Sequence, residues 1–147
     1  MVNIAIINGP NLNLLGKREP GIYGNQTFED YFAQLKAKYP QVNFMYFQSN
    51  HEGFLIDTMQ EIGFDFDGIV LNAGGYTHTS ISLHDCIKAI NTPVIEVHIS
   101  DIRSREHFRH FSMIEAACKK TFAGFGMDSY RLGVDYILEH FIKQGYQ

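Results

Sequence analysis

Hydrophobic residues along the chain alternate between continuous runs and helical spacing. Mostly apolar runs at residues 2–8, 42–47, 68–71 and 94–99 predict four buried strands, and a shorter run near residues 121–125 predicts a fifth. Strands that are so continuously apolar are typical of a parallel sheet covered on both faces. The pattern therefore favours a sheet that lies between two layers of helices.

Apolar stripes at helical spacing separate the predicted strands. Thr27 followed by Asp30 resembles a capping box, which predicts the start of a helix, and Pro40 predicts its end. Gly63 predicts the end of a second helix, and Asp128 is expected to cap the last one. The stripes consist of Phe28, Phe32 and Leu35; Leu55, Ile56, Met59 and Ile62; Leu83, Ile87 and Ile90; and Val134, Ile137, Leu138 and Phe141.

Strands and helices alternate along the chain, which predicts an α/β fold. We expect a flavodoxin-like, doubly wound parallel sheet of five strands in the order 2-1-3-4-5. Right-handed crossovers would place the carboxyl ends of these strands at one edge of the sheet. The 147 residues suffice for one hydrophobic core, so a single α/β domain spanning residues 1–147 is expected. A (β/α)8 barrel, which needs about 250 residues, is excluded.

Polar side chains directly follow three of the predicted strands. Residues 8–13 read NGPNLN after the first strand, residues 72–80 read NAGGYTHTS after the third, and residues 96–100 read EVHIS at the end of the fourth. A buried strand that ends in amides, glycines, hydroxyls and imidazoles presents these groups to a ligand. Because the predicted topology brings the three strand ends together, we expect one site at this edge of the sheet.

The charge of the chain argues against nucleic acid and membrane partners. Twelve lysines and arginines against 16 aspartates and glutamates give a net charge of −4, without the broad basic face that phosphates require. The one basic cluster suits a small anion. No apolar run approaches the roughly 18 residues of a membrane span, and no signal segment is recognised, so we expect a cytoplasmic protein. The basic cluster consists of Arg103, Arg105 and Arg109 with His107 and His110.

The cysteines and histidines do not form a recognisable metal site. Cys86 and Cys118 lie far apart and belong to no CxxC pair, so reduced structural thiols are expected. The closest histidines are His107 and His110, and no HExxH pattern accompanies them. We therefore expect no metal. The glycine patterns of dinucleotide sites and of P-loops are also missing, although the turn that contains Gly74 precedes a helix and could accept an anion.

The connection at residues 9–26 is much longer than the roughly 2–6 residues that usually join a strand to a helix. Gly16 and Gly24 flank its reactive part as potential hinges, which suggests a mobile lid. Tyr23 is a candidate base within it, because the guanidinium of Arg18 would favour the ionised phenolate. The alternative is that Arg18 is solvated and that Tyr23 only covers apolar surface.

Two further pairs of residues suggest chemistry. Glu96 and His98 are two apart on a strand, so both side chains leave the same face, and the carboxylate would support the protonated imidazole that a general acid requires. A structural pair of buried polar groups is the alternative. Arg105 and Arg109, with Ser104 as a helix cap, are predicted to share a helical face on which Arg109 could bind a carboxylate, unless both arginines are simply solvated.

Five motifs of the chain resemble the type II 3-dehydroquinate dehydratases. They are INGPNLNLLGKREPGIYG at residues 7–24, QSNHEG at 48–53, LNAGGYTHTS at 71–80, IEVHIS at 95–100, and REHFRHFS from residue 105. The resemblance is specific because the motifs occur in order and in register, and together they reach to about residue 112. The remaining residues match mainly in their pattern of a strand and a closing helix.

The resemblance implies a reaction and roles for particular residues. The reaction is the reversible anti elimination of water from 3-dehydroquinate through an enolate, giving 3-dehydroshikimate in the shikimate pathway or in quinate catabolism, without a cofactor. Tyr23 would be the base and Arg18 the cation beside it. His98, held by Glu96, would protonate the departing hydroxyl, and Asn11 would stabilise the enolate through a bound water.

The resemblance also implies a set of substrate-binding residues and a quaternary structure. The assembly would be a homododecamer of four trimers, in which Asp85 reaches the active site of a neighbouring subunit. Two positions depart from the family pattern, Phe54 in place of an acidic residue and His84 in place of an arginine. Both bear on subunit packing and substrate affinity rather than on the proton transfers. The implied substrate-binding residues are Asn72, Gly74, Gly75, His78, Asp85, Ile99, Ser100, Arg105 and Arg109.

Two other functions remain compatible with the predicted fold. One is a flavodoxin-like binding or signalling module, which would need a flavin or phosphoryl-acceptor signature. Receiver domains carry acidic residues at the ends of the first and third strands, where this chain has Asn8 and Asn72. The other is a different lyase or hydrolase on the same scaffold, which a panel of substrates would distinguish.

Overall fold

The computed structural model describes residues 1–142, which contain one five-stranded sheet. Neighbouring strands are parallel and lie in the order β2-β1-β3-β4-β5, which confirms the predicted flavodoxin-like topology. The strands begin and end within a few residues of the predicted positions. They are β1 (Val2–Asn8), β2 (Val42–Gln48), β3 (Gly68–Asn72), β4 (Val94–His98) and β5 (Lys120–Ala123).

Helices cover both faces of the sheet. Four of them occupy the predicted places between or after the strands, and the long connection that follows β1 contains a further short α-helix and a 3-10 turn, Leu12–Leu14. Among residues 1–142, no helix is both long enough and apolar enough to span a bilayer. The helices are α1 (Pro20–Tyr23), α2 (Phe28–Lys38), α3 (Glu52–Ile62), α4 (Ile81–Ala89) and α5 (Asp128–His140).

Two hydrophobic clusters lie on opposite faces of the sheet because successive side chains of a strand point to opposite sides. In β1, Ile4 and Ile6 belong to the cluster that includes residues of α2 and α5. Ala5 and Ile7 belong to the cluster that includes residues of α3 and α4. All four side chains are fully buried. Residues 4–7 are all apolar because both faces of the strand are covered there.

The ends of the helices agree with the sequence signals in one case and differ in another. The Thr27 hydroxyl accepts a hydrogen bond from the Asp30 amide at 3.2 Å, which confirms the predicted cap of α2. The prediction that Asp128 caps α5 is wrong. Asp128 is the first residue inside that helix, and Met127 precedes it without a side-chain cap. An acidic residue there still interacts favourably with the amino end of the helix dipole.

The carboxyl ends of β1 and β3 are level, with Asn8 opposite Asn72. The loops that follow them touch, because the Gly9 amide donates to the Asn72 carbonyl at 2.7 Å. A Cβ atom on Gly9 would lie 2.4 Å from the carbonyl oxygen of Ala73, so only glycine permits this approach. The contact holds two of the three polar strand ends side by side.

Gly68 at the start of β3 provides a test of the packing beneath the sheet. A Cβ atom there would lie 2.6 Å from Cδ1 of Ile137, so Gly68→Ala should overpack the core and lower the free energy of unfolding by about 1–3 kcal/mol. Gly53 in α3 has open space around it, and Gly53→Ala should raise stability by up to about 1 kcal/mol. Urea denaturation at matched protein concentration measures the stability of both variants. Equal denaturation midpoints for the two variants would contradict the close packing of Gly68 against Ile137.

Candidate active site

A cleft with a volume of about 110 Å³ opens at the carboxyl ends of β1, β3 and β4. Twelve of the fourteen residues expected at the site line it, so the three polar strand ends do meet in one place. Glu96 and Asp85 are the two that do not line it. The lining residues are Pro10, Asn11, Leu12, Arg18, Tyr23, Asn72, Gly74, Gly75, His78, His98, Ile99, Ser100, Ile102, Arg105 and Arg109.

The phenolic oxygen of Tyr23 accepts hydrogen bonds from two guanidinium groups. Nη2 of Arg18 donates to it at 3.1 Å and Nη1 of Arg105 at 2.8 Å. The Arg18 guanidinium also lies 4.2 Å from the centre of the Tyr23 ring. Since charge-assisted donors are strongest toward a negative oxygen, this arrangement stabilises negative charge on the phenolic oxygen. Tyr23 is the last residue of α1 and directly precedes Gly24, one of the two predicted hinges of the lid. Movement of the lid stays a prediction.

Arg105 was expected to share a helical face with Arg109, and this expectation is wrong. Residues 102–104 and 107–109 form separate short turns, because the backbone of Arg105 is extended between them. Ser104 does not begin a helix, and its hydroxyl donates to the carbonyl of Asp101 at 2.8 Å. Both arginines still line the cleft and lie near Oε1 of Glu106, at 3.7 Å for Nε of Arg105 and 3.1 Å for Nε of Arg109, but only Arg105 donates to Tyr23.

Glu96 lies behind His98, away from the cleft, and has no exposed surface. Its Oε2 atom is 2.5 Å from Nε2 of His98. The hydroxyl of Ser112 donates to Oε2 at 2.8 Å, and that of Thr121 donates to Oε1 at 3.1 Å. A buried carboxylate needs such donors to offset the loss of water. Because Nε2 of His98 is engaged with Glu96, Nδ1 is the ring nitrogen that can act in the cleft.

The ring of His78 is held in one tautomer. Nδ1 of His78 lies 2.8 Å from the carbonyl oxygen of Phe111, and because a carbonyl can only accept, Nδ1 carries a hydrogen. Burial lowers the pKa of His78 and outweighs the hydrogen bond to the Phe111 carbonyl, which acts in the opposite direction. The neutral ring is therefore favoured, and Nε2 is left as a hydrogen-bond acceptor for a ligand hydroxyl.

Asn72 is buried at the end of β3, and both ends of its amide are bonded. Oδ1 accepts from the Gly74 amide at 3.2 Å, and Nδ2 donates to the hydroxyl of Tyr130 at 3.0 Å. That hydroxyl in turn donates to Oδ1 of Asn8 at 2.7 Å. The sequence motifs did not reveal Tyr130. The available signal is a polar-tipped residue on the apolar stripe of α5, which needs a partner when it is buried.

Asn11 has a left-handed backbone with φ of 69°, which is uncommon for residues other than glycine but most accessible to asparagine and aspartate. The backbone N–H of Asn11 donates to the side-chain oxygen Oδ1 of Asn50 at 3.0 Å. The hydroxyl of Tyr76 donates to the backbone carbonyl of Asn50 at 2.8 Å. Asn50 belongs to the second of the five motifs, QSNHEG. This motif therefore contributes indirectly, by fixing the backbone of the loop that carries Asn11.

Asp85 lies on α4 outside the cleft, and 72% of its side chain is exposed. It cannot complete the site of its own chain in this arrangement. Three apolar residues complete the wall of the cleft, and the sequence analysis did not predict them: Pro10, Leu12 and Ile102.

The cleft therefore combines three chemical capacities. Tyr23 offers an oxygen that is prepared to carry negative charge and so to accept a proton. His98 offers an imidazole whose protonated form is supported by a buried carboxylate. Arg109 offers a cation that can bind a carboxylate. An acceptor of protons, a donor of protons and an anion-binding group at one cleft are suited to proton removal and elimination on a small anionic substrate.

Comparison with known proteins agrees with this chemistry. Residues 2–138 match the model of the family described as dehydroquinase class II. A 3-dehydroquinate dehydratase from Exiguobacterium is 49% identical over 95% of this chain and 96% of that protein, and one from Rhizobium johnstonii is 52% identical over 89% and 92%. The crystal structure of a type II dehydroquinase from Butyrivibrio crossotus matches with a TM-score of 0.90 at 41% identity, covering 93% of this chain and 97% of that one. The chain belongs to the dehydroquinase class II family.

Proposed function

We propose that this chain is a 3-dehydroquinate dehydratase, which removes water from 3-dehydroquinate and forms 3-dehydroshikimate in the shikimate pathway. The observation that carries the proposal is the placement of Tyr23, under two guanidinium donors, in the same cleft as His98, which is backed by a buried carboxylate. Membership of the family and the names of its close relatives supply the substrate.

The proposed reaction begins when the Tyr23 phenolate takes the proton from the carbon beside the ketone. The electron pair of that C–H bond moves to the ketone oxygen and forms an enolate, which Asn11 stabilises through a bound water. The enolate then re-forms the ketone and expels the hydroxyl group, and His98 donates the proton that converts it to water. Arg18 and Arg105 stabilise the phenolate before each turnover.

The remaining residues of the cleft are proposed to bind the substrate. Arg109 would bind its carboxylate, with the backbone of Ile99 and Ser100 adding amide donors. His78 would accept a hydrogen bond from a substrate hydroxyl at Nε2, and Asn72 would donate one. Gly74 and Gly75 would allow the substrate to approach the turn after β3.

Tyr23→Phe keeps the ring and removes only the atom that accepts the proton. We expect kcat to fall by at least about 10²–10⁴-fold while the substrate still binds, because a general base contributes on this scale. Turnover is measured as the ultraviolet absorbance of the conjugated enone product, and binding is measured by calorimetry. Tyr136→Phe, in a tyrosine of α5 outside the cleft, is the control and should retain activity. A near-normal rate for Tyr23→Phe would exclude the base assignment.

His98→Asn distinguishes a general acid from a structural histidine. The substitution removes the proton donor and also one donor to the buried Glu96, so we expect a large loss of turnover per folded molecule together with some fall in melting temperature. A histidine with only a structural role would lower the melting temperature alone, since a lost hydrogen bond costs about 1 kcal/mol of stability. Both quantities are measured on the same sample. A large fall in melting temperature with unchanged turnover per folded molecule would contradict the assignment.

The proposed assembly is a homododecamer of four trimers in which Asp85 completes the site of a neighbouring subunit. Two observations support association. The side chain of Asp85 is exposed and lies outside the cleft of its own chain. Large apolar side chains, among them Ile81, Phe108 and Phe111, are also exposed, as is common at surfaces that bind other chains.

Shared sites can be tested by complementation between two inactive variants. Asp85→Ala and Tyr23→Phe subunits are unfolded, mixed and refolded together. Mixed assemblies would contain sites with Tyr23 from one subunit and Asp85 from its neighbour, so activity should rise above the sum of the separate variants. The same proteins mixed without unfolding are the control. Absence of rescue, or a fully active monomer by light scattering, would contradict the shared site.

The proposal includes one catalytic domain over residues 1–147 and a cytoplasmic location. The single sheet formed by the described residues supports one domain. The free thiols of Cys86 and Cys118 are compatible with a reducing compartment and support the cytoplasmic location. The proposed proton transfers use side chains of the protein alone, so the proposal contains no cofactor or metal.

A further inference from the structure

A continuous series of buried hydrogen bonds connects the cleft to the interior of the protein. Nδ2 of Asn72 donates to the Tyr130 hydroxyl at 3.0 Å, which donates to Oδ1 of Asn8 at 2.7 Å. Nδ2 of Asn8 then donates to the hydroxyl of Tyr46 at 3.3 Å. Tyr130 and Asn8 have no exposed surface, and Tyr130 does not line the cleft. Only Asn72 of this series is in contact with the space where a ligand would lie.

The direction of each hydrogen bond follows from one backbone group. The Gly74 amide can only donate, so the oxygen of the Asn72 side chain must face it and the nitrogen must face Tyr130. The Tyr130 oxygen then accepts, and its own hydrogen is directed to Oδ1 of Asn8. Burial raises the pKa of Tyr130, so the hydroxyl keeps this hydrogen. Each group in the series therefore has a defined donor or acceptor role.

We propose that Tyr130 is a positioning residue for substrate binding, which acts by holding the Asn72 amide with its nitrogen available to the cleft. One hydrogen of Nδ2 is bound by Tyr130, and the other has no partner among residues 1–142. It is therefore the hydrogen that a substrate oxygen would receive. The inference rests on the proposed function, in which Asn72 binds 3-dehydroquinate.

The hydroxyl of Tyr130 can be separated experimentally from its ring. The ring packs against Phe28 with centroids 5.0 Å apart and against Tyr31 with centroids 6.1 Å apart. A phenylalanine would keep both contacts, and the hydroxyl alone reaches the two asparagines. Tyr130→Phe therefore removes the positioning bonds and leaves the apolar packing in place.

Tyr130→Phe should raise KM for 3-dehydroquinate by roughly 3- to 10-fold, the scale of one hydrogen bond, while kcat changes less. Tyr39→Phe is the matched control. The Tyr39 hydroxyl bonds Asp135 of the same helix, α5, but Tyr39 lies outside the cleft. That variant should lose stability and keep the KM of the wild type. An unchanged KM in a folded Tyr130→Phe protein, or equal rises in the two variants, would overturn the inference.

A double-mutant cycle tests whether Tyr130 acts through Asn72. In an Asn72→Ala background, Tyr130→Phe should cause no further change in KM, because the amide that it positions is gone. If the factors by which the two single substitutions raise KM multiplied in the double variant, Tyr130 would have a general structural role, and the inference would be overturned. The wild-type protein is assayed alongside; if it fails to convert 3-dehydroquinate, the proposed function itself is wrong, which is a separate outcome.

A second variant covers the case in which Tyr130→Phe does not fold. Asn8→Ala removes the acceptor that directs the Tyr130 hydroxyl, and Asn8 does not line the cleft, so it should also raise KM. A wild-type KM would overturn the inference. The wild-type protein gives an independent measurement: a structure with bound 3-dehydroquinate should show the Asn72 nitrogen within hydrogen-bond distance of the ligand, and its absence there would also overturn the inference.

Discussion

Parallel pairing of β1 with β3, with Asn8 opposite Asn72, is the constraint on which the active site depends. The pairing brings two loops so close that a glycine is required at position 9. It also places two asparagine side chains within reach of one tyrosine hydroxyl from α5. The switch point of a doubly wound sheet is where ligands usually bind, and here the same point is also stabilised by a buried polar network.

Buried polar groups near the cleft are satisfied by residues from distant parts of the chain. Glu96 is the most demanding of them, since an unpaired buried carboxylate would be strongly unfavourable. His98, Ser112 and Thr121 supply its donors from β4, from the segment before β5 and from β5 itself. The carboxylate thereby has a fixed position, and so has the imidazole that contacts the cleft. The same bonds that stabilise the fold orient a group that the proposed reaction uses.

The distribution of charge in the cleft differs from that of the whole chain. The chain carries a net charge of −4, yet Arg18, Arg105 and Arg109 all line the cleft. A concentrated positive potential attracts an anionic substrate to this opening. Two of the arginines also donate to Tyr23, so the same charges serve binding and the chemistry of the base. Glu19 lies 3.6 Å from Arg18, and Glu106 lies 3.7 Å from Arg105 and 3.1 Å from Arg109, so these largely exposed carboxylates offset part of the positive charge.

The sequence alone determined the strands, the helices and the order of the sheet, because apolar periodicity and the handedness of crossovers are properties of short segments and their succession. It also indicated Tyr23, His98 and the polar strand ends, since these stand out from the apolar runs before them. Family resemblance, rather than periodicity or spacing, supplied the substrate.

Tertiary structure alone decided which of these residues touch. Arg105 and Tyr23 are 82 positions apart, and Tyr130 and Asn8 are 122 positions apart, so no local pattern contains either contact. The predicted helix after Ser104 failed for a related reason. The extended backbone of Arg105, which places its guanidinium on Tyr23, interrupts the helix that the local spacing favours. Local propensity is worth only a few tenths of a kcal/mol per residue, and tertiary contacts routinely exceed it.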